Sequence, residues 1–166
     1  MPDTQPTRIA LVCHGNIARS QILHHYLVDA LRRRSMGVEV FSCGAASDQA
    51  YPNAPQLLAE VEDELHRRGL TVKVERTPWS EAAAEQLCGC DWVLTADRMR
   101  RADILTRTGL DPSRVQLFYA FIGEGAKDFT DTYDIALGRQ DTERFARCFD
   151  ELQRIAKQIA DRLANG

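Results

Sequence analysis

The sequence lacks the features that define several large classes of protein. No apolar run in its 166 residues approaches the roughly 20 that a helix needs to cross a bilayer. Positive charge is not in excess: the net charge is −3 and the pI about 5.8, whereas affinity for a nucleic-acid backbone usually needs a basic surface. Residues 1–7 are polar and acidic, unlike a signal peptide. We therefore expect a cytoplasmic protein that binds neither nucleic acid nor membrane.

Metal-ligand spacing is also missing. Cys88 and Cys90 are too close together for a typical zinc half-site, and the four histidines do not recur at ligand spacing. The five cysteines are an odd number without an export signal, which argues for free thiols. The sequence therefore predicts no metal site.

Length and composition are those of one ordinary globular domain. The chain is 44% hydrophobic, enough for a core, and 27% charged, and it contains no repeat, low-complexity tract or linker. We expect a single domain over residues 1–166, with residues 1–7 as a flexible N-terminus.

Short apolar runs alternate with segments of helical periodicity. Strands are predicted at residues 8–13, 38–42, 92–95 and 115–118, and helices at 20–34, 54–68, 80–86, a short stretch after Asp97, and 141–163. This alternation implies right-handed βαβ units and a parallel sheet with helices on both faces, a three-layer α/β fold. Ligands of such sheets bind at the carboxyl ends of the strands, so the loop that begins at Cys13 is the first candidate site.

Residues 13–20 of that loop have the sequence Cys-His-Gly-Asn-Ile-Ala-Arg-Ser. A loop that turns from a strand into a helix points successive backbone N–H groups inward, and such a nest binds an anion such as phosphate. The same field favours the thiolate, the nucleophilic form of cysteine, and Arg19 can hold two phosphoryl oxygens in bidentate fashion. The predicted nucleophile is Cys13. The predicted phosphate-binding residues are His14, Gly15, Asn16, Ile17, Ala18, Arg19 and Ser20.

Three residues of the loop have further predicted roles. Gly15 allows the backbone to approach a ligand closely, and Asn16 tolerates a left-handed conformation. Ser20 can donate a hydrogen bond to the sulfur and stabilise it as a leaving group.

Cys148 and Arg154 have the same Cys-x5-Arg spacing as Cys13 and Arg19, but they lie inside the C-terminal helical pattern with no glycine and no preceding strand. We interpret Cys148 as a core residue.

The segment 13–20, close to the N-terminus, resembles the signature loop of low-molecular-weight protein-tyrosine phosphatases. Weaker likenesses follow along the chain. Ser42-Cys43-Gly44 is similar to the family's Ser-Ala-Gly, Thr95-Ala96-Asp97 to its Met-Asp, and Asp131-Thr132-Tyr133 to its Asp-Pro-Tyr acid loop. The resemblance implies a cysteine-dependent protein-tyrosine phosphatase with the flavodoxin-like strand order 2-1-3-4.

The chemistry of that family has two steps and needs no metal or cofactor. By resemblance, Cys13 attacks phosphorus to form a cysteinyl-phosphate, and Asp131 protonates the leaving oxygen and then activates water. Arg19 and the loop amides stabilise the equatorial oxygens. Asp128 and Asp134 lie in the same loop and are alternatives to Asp131 as the acid. The resemblance further implies a phosphorylated protein as substrate, inorganic phosphate as product, and a monomer or weak dimer.

Several positions depart from the family pattern. Ala18 stands where a cysteine that can form a protective disulfide with the nucleophile is usual, and Thr132 replaces the proline of the acid loop. The family often has a histidine that organises the loop asparagine and two serines, and the nearest position here is Glu75. The residues expected to support the loop are Asn16, Ser20 and Ser42.

Substrate preference is inferred from three positions. Ile17 is typical of family members that act on phosphotyrosine, whereas arginine phosphatases tend to carry threonine there. Tyr133 and Tyr51 are aromatic side chains suited to wall a slot for a phenyl ring. We therefore expect a phosphotyrosine substrate.

Two other functions fit the same loop. A thioredoxin-coupled arsenate reductase shares the fold, and Arg19-Ser20-Gln21 resembles that branch. Its disulfide relay needs two cysteines after the third strand, whereas Cys88 and Cys90 precede that strand. The other alternative, suggested by Thr132 and Glu75, is a non-catalytic relative that binds phosphorylated partners.

Overall fold

The computed structural model describes residues 4–129 and 142–166. Its strands are β1 Arg8–Cys13, β2 Glu39–Gly44, β3 Trp92–Thr95 and β4 Val115–Leu117. Its helices are α1 Arg19–Arg33, α2 Ala54–Arg67, α3 Glu81–Cys88, α4 Arg98–Thr108, α5 Phe118–Phe121 and α6 Thr142–Asn165. All the predicted strands and helices are present, with ends shifted by a few residues. The short α5 is an addition that no sequence pattern indicated.

The four strands form one parallel sheet in the order β2-β1-β3-β4, which confirms the predicted order. β1 is central, and its residues from Ile9 to Cys13 are at most 3% exposed. In the register of the sheet Cys13 pairs with Gly44 of β2, and Val12 pairs with Thr95 of β3. The carboxyl ends of β1, β2 and β3 therefore lie side by side.

Helices cover both faces of the sheet, as predicted. Successive side chains of a strand point to opposite faces. Ile9 and Leu11 pack with residues of α1, α2, α5 and α6, whereas Ala10 and Val12 pack with residues of α3 and α4. Burial on both faces explains why β1 is an almost unbroken apolar run. No helix in residues 4–129 or 142–166 has the length and apolar character needed to span a membrane.

Side-chain caps fix where two of the helices begin. Ser80 Oγ accepts a hydrogen bond from the N–H of Ala83 at 3.0 Å, so Ser80 caps α3 as predicted. Asp97 Oδ1 accepts from the N–H of Arg100 at 2.8 Å and caps α4. Asp97 lies two residues after the end of β3, so its carboxylate lies at the same edge of the sheet as Cys13.

Candidate active site

The loop between β1 and α1 turns several of its carbonyl groups outward. The carbonyl oxygens of Cys13 and His14 accept hydrogen bonds from the backbone N–H groups of residues 45–46, at 3.0 and 2.8 Å. The carbonyl oxygen of Asn16 accepts from Gln21 Nε2 at 3.2 Å. Because the C=O and N–H groups of a trans peptide point in opposite directions, the N–H groups that follow these carbonyls face the inside of the loop. This is the geometry of an anion-binding nest.

Two hydrogen-bonding groups meet the sulfur of Cys13 inside the loop. Asn16 adopts the left-handed backbone conformation that an asparagine tolerates, with φ 54°, and its N–H donates to Cys13 Sγ at 3.2 Å. Ser20 Oγ lies 2.9 Å from the same sulfur. The sulfur is thus buried but in a polar setting, which suits a group that carries negative charge as nucleophile or leaving group.

A chain of hydrogen bonds fixes which way the Asn16 amide faces. Its Oδ1 accepts from the N–H of Thr77 at 2.7 Å and from Gln21 Nε2 at 3.0 Å. Its Nδ2 therefore faces Ser20 Oγ and donates to it at 2.7 Å. Because Ser20 Oγ accepts this bond, its own proton is available to the sulfur of Cys13.

Arg19 is the first residue of α1 and is buried, with 3% exposure. Its Nη1 donates to Asp97 Oδ2 at 3.0 Å and to the carbonyl oxygen of Phe129 at 2.9 Å. Asp97 thus caps α4 with one carboxylate oxygen and holds Arg19 with the other. This pair keeps the guanidinium at the carboxyl edge of the sheet, beside the loop.

β2 supports the loop from the side. Gly44 lies so close to it that a methyl group in place of its hydrogen would come within 2.8 Å of the carbonyl oxygen of His14. Ser42 is buried, with its Oγ 2.9 Å from Nδ1 of His24 on α1. This hydrogen bond joins β2 to α1, and a direct role of Ser42 in supporting the loop stays a prediction.

Tyr51 lies on the rim of the loop. Its hydroxyl is hydrogen-bonded to Nδ1 of His14, and the two rings meet edge to face with centroids 5.4 Å apart. Its ring lies over Gly15, where an added methyl group would come within 2.8 Å of a ring carbon. Ile17 is 5% exposed and packs against α2. The fold therefore brings Tyr51 to the loop that contains Ile17, and the role of Tyr51 as a wall of the substrate slot stays a prediction.

Most of the predicted acid loop lies outside the described residues. The predicted acid Asp131, its alternative Asp134 and the predicted wall residue Tyr133 all fall there. Asp128 is described, and its Oδ1 accepts from the backbone N–H of Arg98 at 2.9 Å and from Arg98 Nε at 3.2 Å. These hydrogen bonds hold the pKa of Asp128 below its usual range.

Three of the other cysteines lie on another face of the sheet than Cys13 or outside its strands. Cys43 packs on the opposite face, and burial raises the pKa of its thiol to about 12. Cys88 ends α3, and Cys90 Sγ donates to a carbonyl oxygen of that helix. Both precede β3 and lie at the amino edge of the sheet, whereas Cys13 lies at the carboxyl edge. In the part of the chain that the structure describes, no three His, Cys, Asp or Glu side chains are grouped so as to hold a metal ion.

Sequence reasoning missed Gln21 and Asp97 as parts of this site. Gln21 has no distinguishing local pattern, because its partners, Asn16 and the backbone oxygen of Glu75, meet it only in the folded chain. The Glu75 side chain is exposed and paired with Lys73, so Gln21 organises Asn16 where the resemblance implies a histidine. Asp97 did carry a signal, since it follows a buried strand that ends at the same edge as β1.

The fold and the loop define an α/β protein with a cysteine-bearing turn at the carboxyl edge of a parallel sheet. Residues 8–166 match the sequence profile of the family described as low molecular weight phosphotyrosine protein phosphatase. The chain therefore belongs to this family of cysteine-based phosphatases. No curated protein sequence is detectably similar to it.

Solved structures with a similar fold cover nearly the whole chain. A low molecular weight protein tyrosine phosphatase from Bacillus subtilis is 20% identical with a TM-score of 0.74, over 96% of this chain and 98% of that one. The YwlE arginine phosphatase from Geobacillus stearothermophilus is 20% identical with a TM-score of 0.74, over 96% and 94%. Wzb from Vibrio vulnificus, in complex with benzylphosphonate, is 21% identical with a TM-score of 0.73, over 95% and 99%. These similarities establish the fold and do not choose between tyrosine and arginine as the phosphorylated residue.

Proposed function

We propose that this protein is a phosphomonoester hydrolase, and specifically a protein-tyrosine phosphatase that works through a cysteinyl-phosphate intermediate. The observation that carries the proposal is the sulfur of Cys13, which meets the N–H of Asn16 and the hydroxyl of Ser20 inside a nest of loop amides. The buried guanidinium of Arg19 lies at the same edge of the sheet. Membership of a cysteine-based phosphatase family supports the proposal.

In the first step the thiolate of Cys13 attacks phosphorus, and the bond between phosphorus and the tyrosine oxygen breaks. The proton of Asp131 passes to the leaving oxygen, so that tyrosine departs as a neutral phenol. The N–H groups of the loop and the guanidinium of Arg19 stabilise the three equatorial phosphoryl oxygens. The product of this step is a phosphoryl group bonded to Cys13 Sγ.

In the second step a water molecule attacks the phosphorus of the cysteinyl-phosphate. The carboxylate of Asp131 takes a proton from the water, the phosphorus–sulfur bond breaks, and its electron pair returns to the sulfur. Ser20 and the N–H of Asn16 stabilise the departing thiolate by hydrogen bonding. Inorganic phosphate is released, and the chain returns to its starting state without a metal or cofactor.

Asp131, rather than Asp128, is the proposed acid. A general acid must carry its proton at the working pH. Hydrogen bonds from Arg98 lower the pKa of Asp128, so they stabilise its carboxylate and disfavour the protonated form that an acid needs. Asp131 fits the register of the family's acid loop, and Asp134 is the remaining alternative.

Phosphotyrosine is the proposed substrate group. Ile17 stands where arginine phosphatases of the family tend to carry threonine, and Tyr51 presents an aromatic ring at the rim of the loop. Tyr133 is proposed as the facing wall. The test compares phosphate release from a phosphotyrosine peptide and a phosphoarginine peptide. We expect faster release from the first, and a preference for the second would contradict this assignment.

The proposed setting is the cytoplasm, where a single-domain monomer or weak dimer acts on phosphorylated proteins. The acidic net charge argues against nucleic acid as a partner. Among the described residues, Met99 is the large hydrophobic side chain that is exposed, which disfavours a strong apolar interface. Light scattering of the purified protein tests the oligomeric state, and a stable higher oligomer would contradict the expectation.

The nucleophile is tested by phosphate release from p-nitrophenyl phosphate. We expect Cys13→Ser to lower the rate by about 10⁴-fold or more, because a neutral hydroxyl is a poor nucleophile here. Cys148→Ser is the matched control, since Cys148 and Arg154 have the same spacing but lie within α6. Equal losses in both variants would overturn the assignment. An inactive native chain that binds phosphotyrosine peptides tightly would favour the non-catalytic alternative.

The acid is tested with two carboxamide variants. We expect Asp131→Asn to slow hydrolysis of substrates with poor leaving groups by about 10²-fold, because those groups depend most on protonation. Asp128→Asn should have a much smaller effect. A larger loss in Asp128→Asn than in Asp131→Asn would show that the wrong carboxylate had been chosen.

A further inference from the structure

Arg76 lies outside the signature loop, in the stretch that joins α2 to α3. Its side chain is 7% exposed, and all three nitrogens of its guanidinium group donate hydrogen bonds. Nε donates to the carbonyl oxygen of Gly15 at 2.7 Å. Nη1 and Nη2 donate to the carbonyl oxygens of Asp48 and Ser47, both at 3.1 Å, and Nη1 also lies 3.3 Å from Asp48 Oδ1. One buried group therefore joins the signature loop to the turn at residues 47–48.

The bond to Gly15 has a direct consequence for the sulfur. The peptide unit between Gly15 and Asn16 is planar, and its C=O and N–H groups point in opposite directions. Holding the carbonyl oxygen outward with Arg76 therefore aims the N–H of Asn16 inward. That N–H is the backbone donor that meets Cys13 Sγ at 3.2 Å.

The bonds to residues 47–48 reach the rim of the site. These residues lead directly into Tyr51, whose ring lies over Gly15 and whose hydroxyl is bonded to His14. The guanidinium carbon of Arg76 lies 5.4 Å from the centre of that ring. Arg76 thus fixes both the donor to the sulfur and the aromatic side chain above the loop.

We propose that Arg76 is a positioning residue that sets the direction of the Asn16 N–H toward Cys13 and the place of Tyr51 over the loop. It acts through these groups and does not touch the substrate. The kinetic part of this inference rests on the proposed phosphatase activity. The structural part depends only on the orientation of the peptide unit between Gly15 and Asn16. Lysine cannot replace Arg76 fully. Its ammonium group is a compact point charge and lacks the planar set of N–H donors with which a guanidinium group bonds several carbonyl oxygens.

The test compares Arg76→Ala and Arg76→Lys with a matched control, Arg101→Ala. Arg101 also uses a guanidinium to join two carbonyl oxygens, those of Val115 and Pro112, at the start of β4 and away from the loop. We expect Arg76→Ala to lower kcat on p-nitrophenyl phosphate by about 100-fold, since small misplacements at a reacting centre have effects of that size. The kcat of Arg76→Lys should lie between that of Arg76→Ala and that of the native chain. Arg101→Ala should lower the melting temperature about as much as Arg76→Ala does, but keep the native kcat.

A second readout does not depend on catalysis. The Asn16 amide is followed by its NMR chemical shift and its rate of hydrogen exchange in each folded variant. We expect a changed shift and exchange faster by about 10-fold or more in Arg76→Ala, and native values in Arg101→Ala. If the native chain proves inactive while the Asn16 amide still changes in Arg76→Ala, the proposed function fails and the positioning role holds. An Asn16 amide that stays native in Arg76→Ala, or native kcat in that variant, overturns the inference.

Discussion

Both oxygen atoms of Asn16, in its carbonyl group and in its side chain, accept hydrogen bonds from Gln21. Asn16 is fully buried and connects Gln21 to Ser20, and Ser20 in turn contacts the sulfur of Cys13. The polar surroundings of the sulfur therefore depend on Gln21, which does not contact the sulfur itself. At the scale of single residues, the site is a short relay of hydrogen bonds rather than an isolated thiol.

Replacing Gln21 tests this relay. Gln21→Leu removes the hydrogen bond to the carbonyl oxygen of Asn16 and one of the two to its Oδ1, which keeps the N–H of Thr77. A buried acceptor left without a donor costs about 1–3 kcal/mol. We expect the free energy of unfolding, measured by urea denaturation, to fall by that amount, and turnover to slow. Gln158→Leu is the control, because Gln158 is exposed on α6 and its loss should stay within about 0.5 kcal/mol. A cost no larger in Gln21→Leu than in the control would contradict the relay.

Gly44 allows a second test at this scale. A β-carbon at Gly44 would lie 2.8 Å from the carbonyl oxygen of His14 and 2.9 Å from the backbone carbon of Gly15, so the loop would have to shift. We expect Gly44→Ala to lower the free energy of unfolding by about 1–3 kcal/mol and to reduce phosphate affinity. Gly37→Ala, whose β-carbon would meet nothing within 4 Å, should change stability by less than about 1 kcal/mol. Similar effects of both substitutions would show that the loop does not rest on Gly44.

Local sequence determined which of these residues were predictable. The end of β1, the left-handed Asn16 and the start of α1 are consecutive, so neighbouring residue types were enough to predict them. Arg19 and Asp97 are 78 positions apart, and Gln21 and Glu75 are 54 apart. No local sequence pattern predicts such pairs, because only the topology of the sheet brings the two residues together.

At the scale of elements, α1 is joined to the sheet both by its apolar face and by one polar contact. Ile22, Leu23 and Leu27 are fully buried, and His24 is hydrogen-bonded to Ser42 of β2. Burial and the neighbouring His25 lower the pKa of His24 to about 4. The folded state therefore holds His24 neutral at pH values where an unfolded chain, with a histidine pKa of about 6.5, would protonate it.

The lowered pKa of His24 predicts how stability depends on pH. Between pH 6.5 and 4 the unfolded state binds a proton that the folded state does not, so stability falls as the pH falls. The free energy of unfolding should drop by as much as about 1.4 kcal/mol per pH unit from this group. We expect His24→Gln to flatten that slope in urea denaturation series from pH 7 to 4. An unchanged slope in the variant would show that His24 is not the source of this pH dependence.

The sequence predicted most elements well because most are strongly patterned. β1 is apolar throughout, and α6 has an uninterrupted helical stripe. α4 was predicted only as a short helix, but it extends for 11 residues from its Asp97 cap. Its sequence is rich in arginine with few apolar positions, so hydrophobic periodicity gave little information about its length. The four residues of α5 are too few for any periodicity to show.

At the scale of the whole molecule, Cys13 lies at the opposite edge of the parallel sheet from Cys88 and Cys90. Cys13 lies at the carboxyl edge, whereas Cys88 and Cys90 lie near Arg8 at the amino edge, where Asp91 N–H donates to the Arg8 carbonyl oxygen. A strand of six residues spans roughly 20 Å, while a disulfide joins Cα atoms no more than about 7 Å apart. Direct exchange between Cys13 and either thiol would require the fold to open. This separation disfavours the arsenate reductase alternative.

The double variant Cys88→Ser/Cys90→Ser tests that separation. We expect phosphate release from p-nitrophenyl phosphate to stay within about twofold of the native rate, because neither thiol reaches the loop. A reductase that used these thiols as a relay would instead lose arsenate turnover with thioredoxin. Thioredoxin-dependent arsenate reduction by the native chain that is lost in the double variant would contradict the phosphatase assignment.

The most direct test of the whole account is to look for the phosphoryl group on the sulfur. The native chain is mixed with p-nitrophenyl phosphate, quenched rapidly, digested and analysed by mass spectrometry. We expect a transient peptide that contains Cys13 and carries the added mass of one phosphoryl group, and no phosphorylated form of the corresponding peptide in Cys13→Ala. Steady release of phosphate with no such peptide, or with the phosphoryl group on another side chain, would contradict the account.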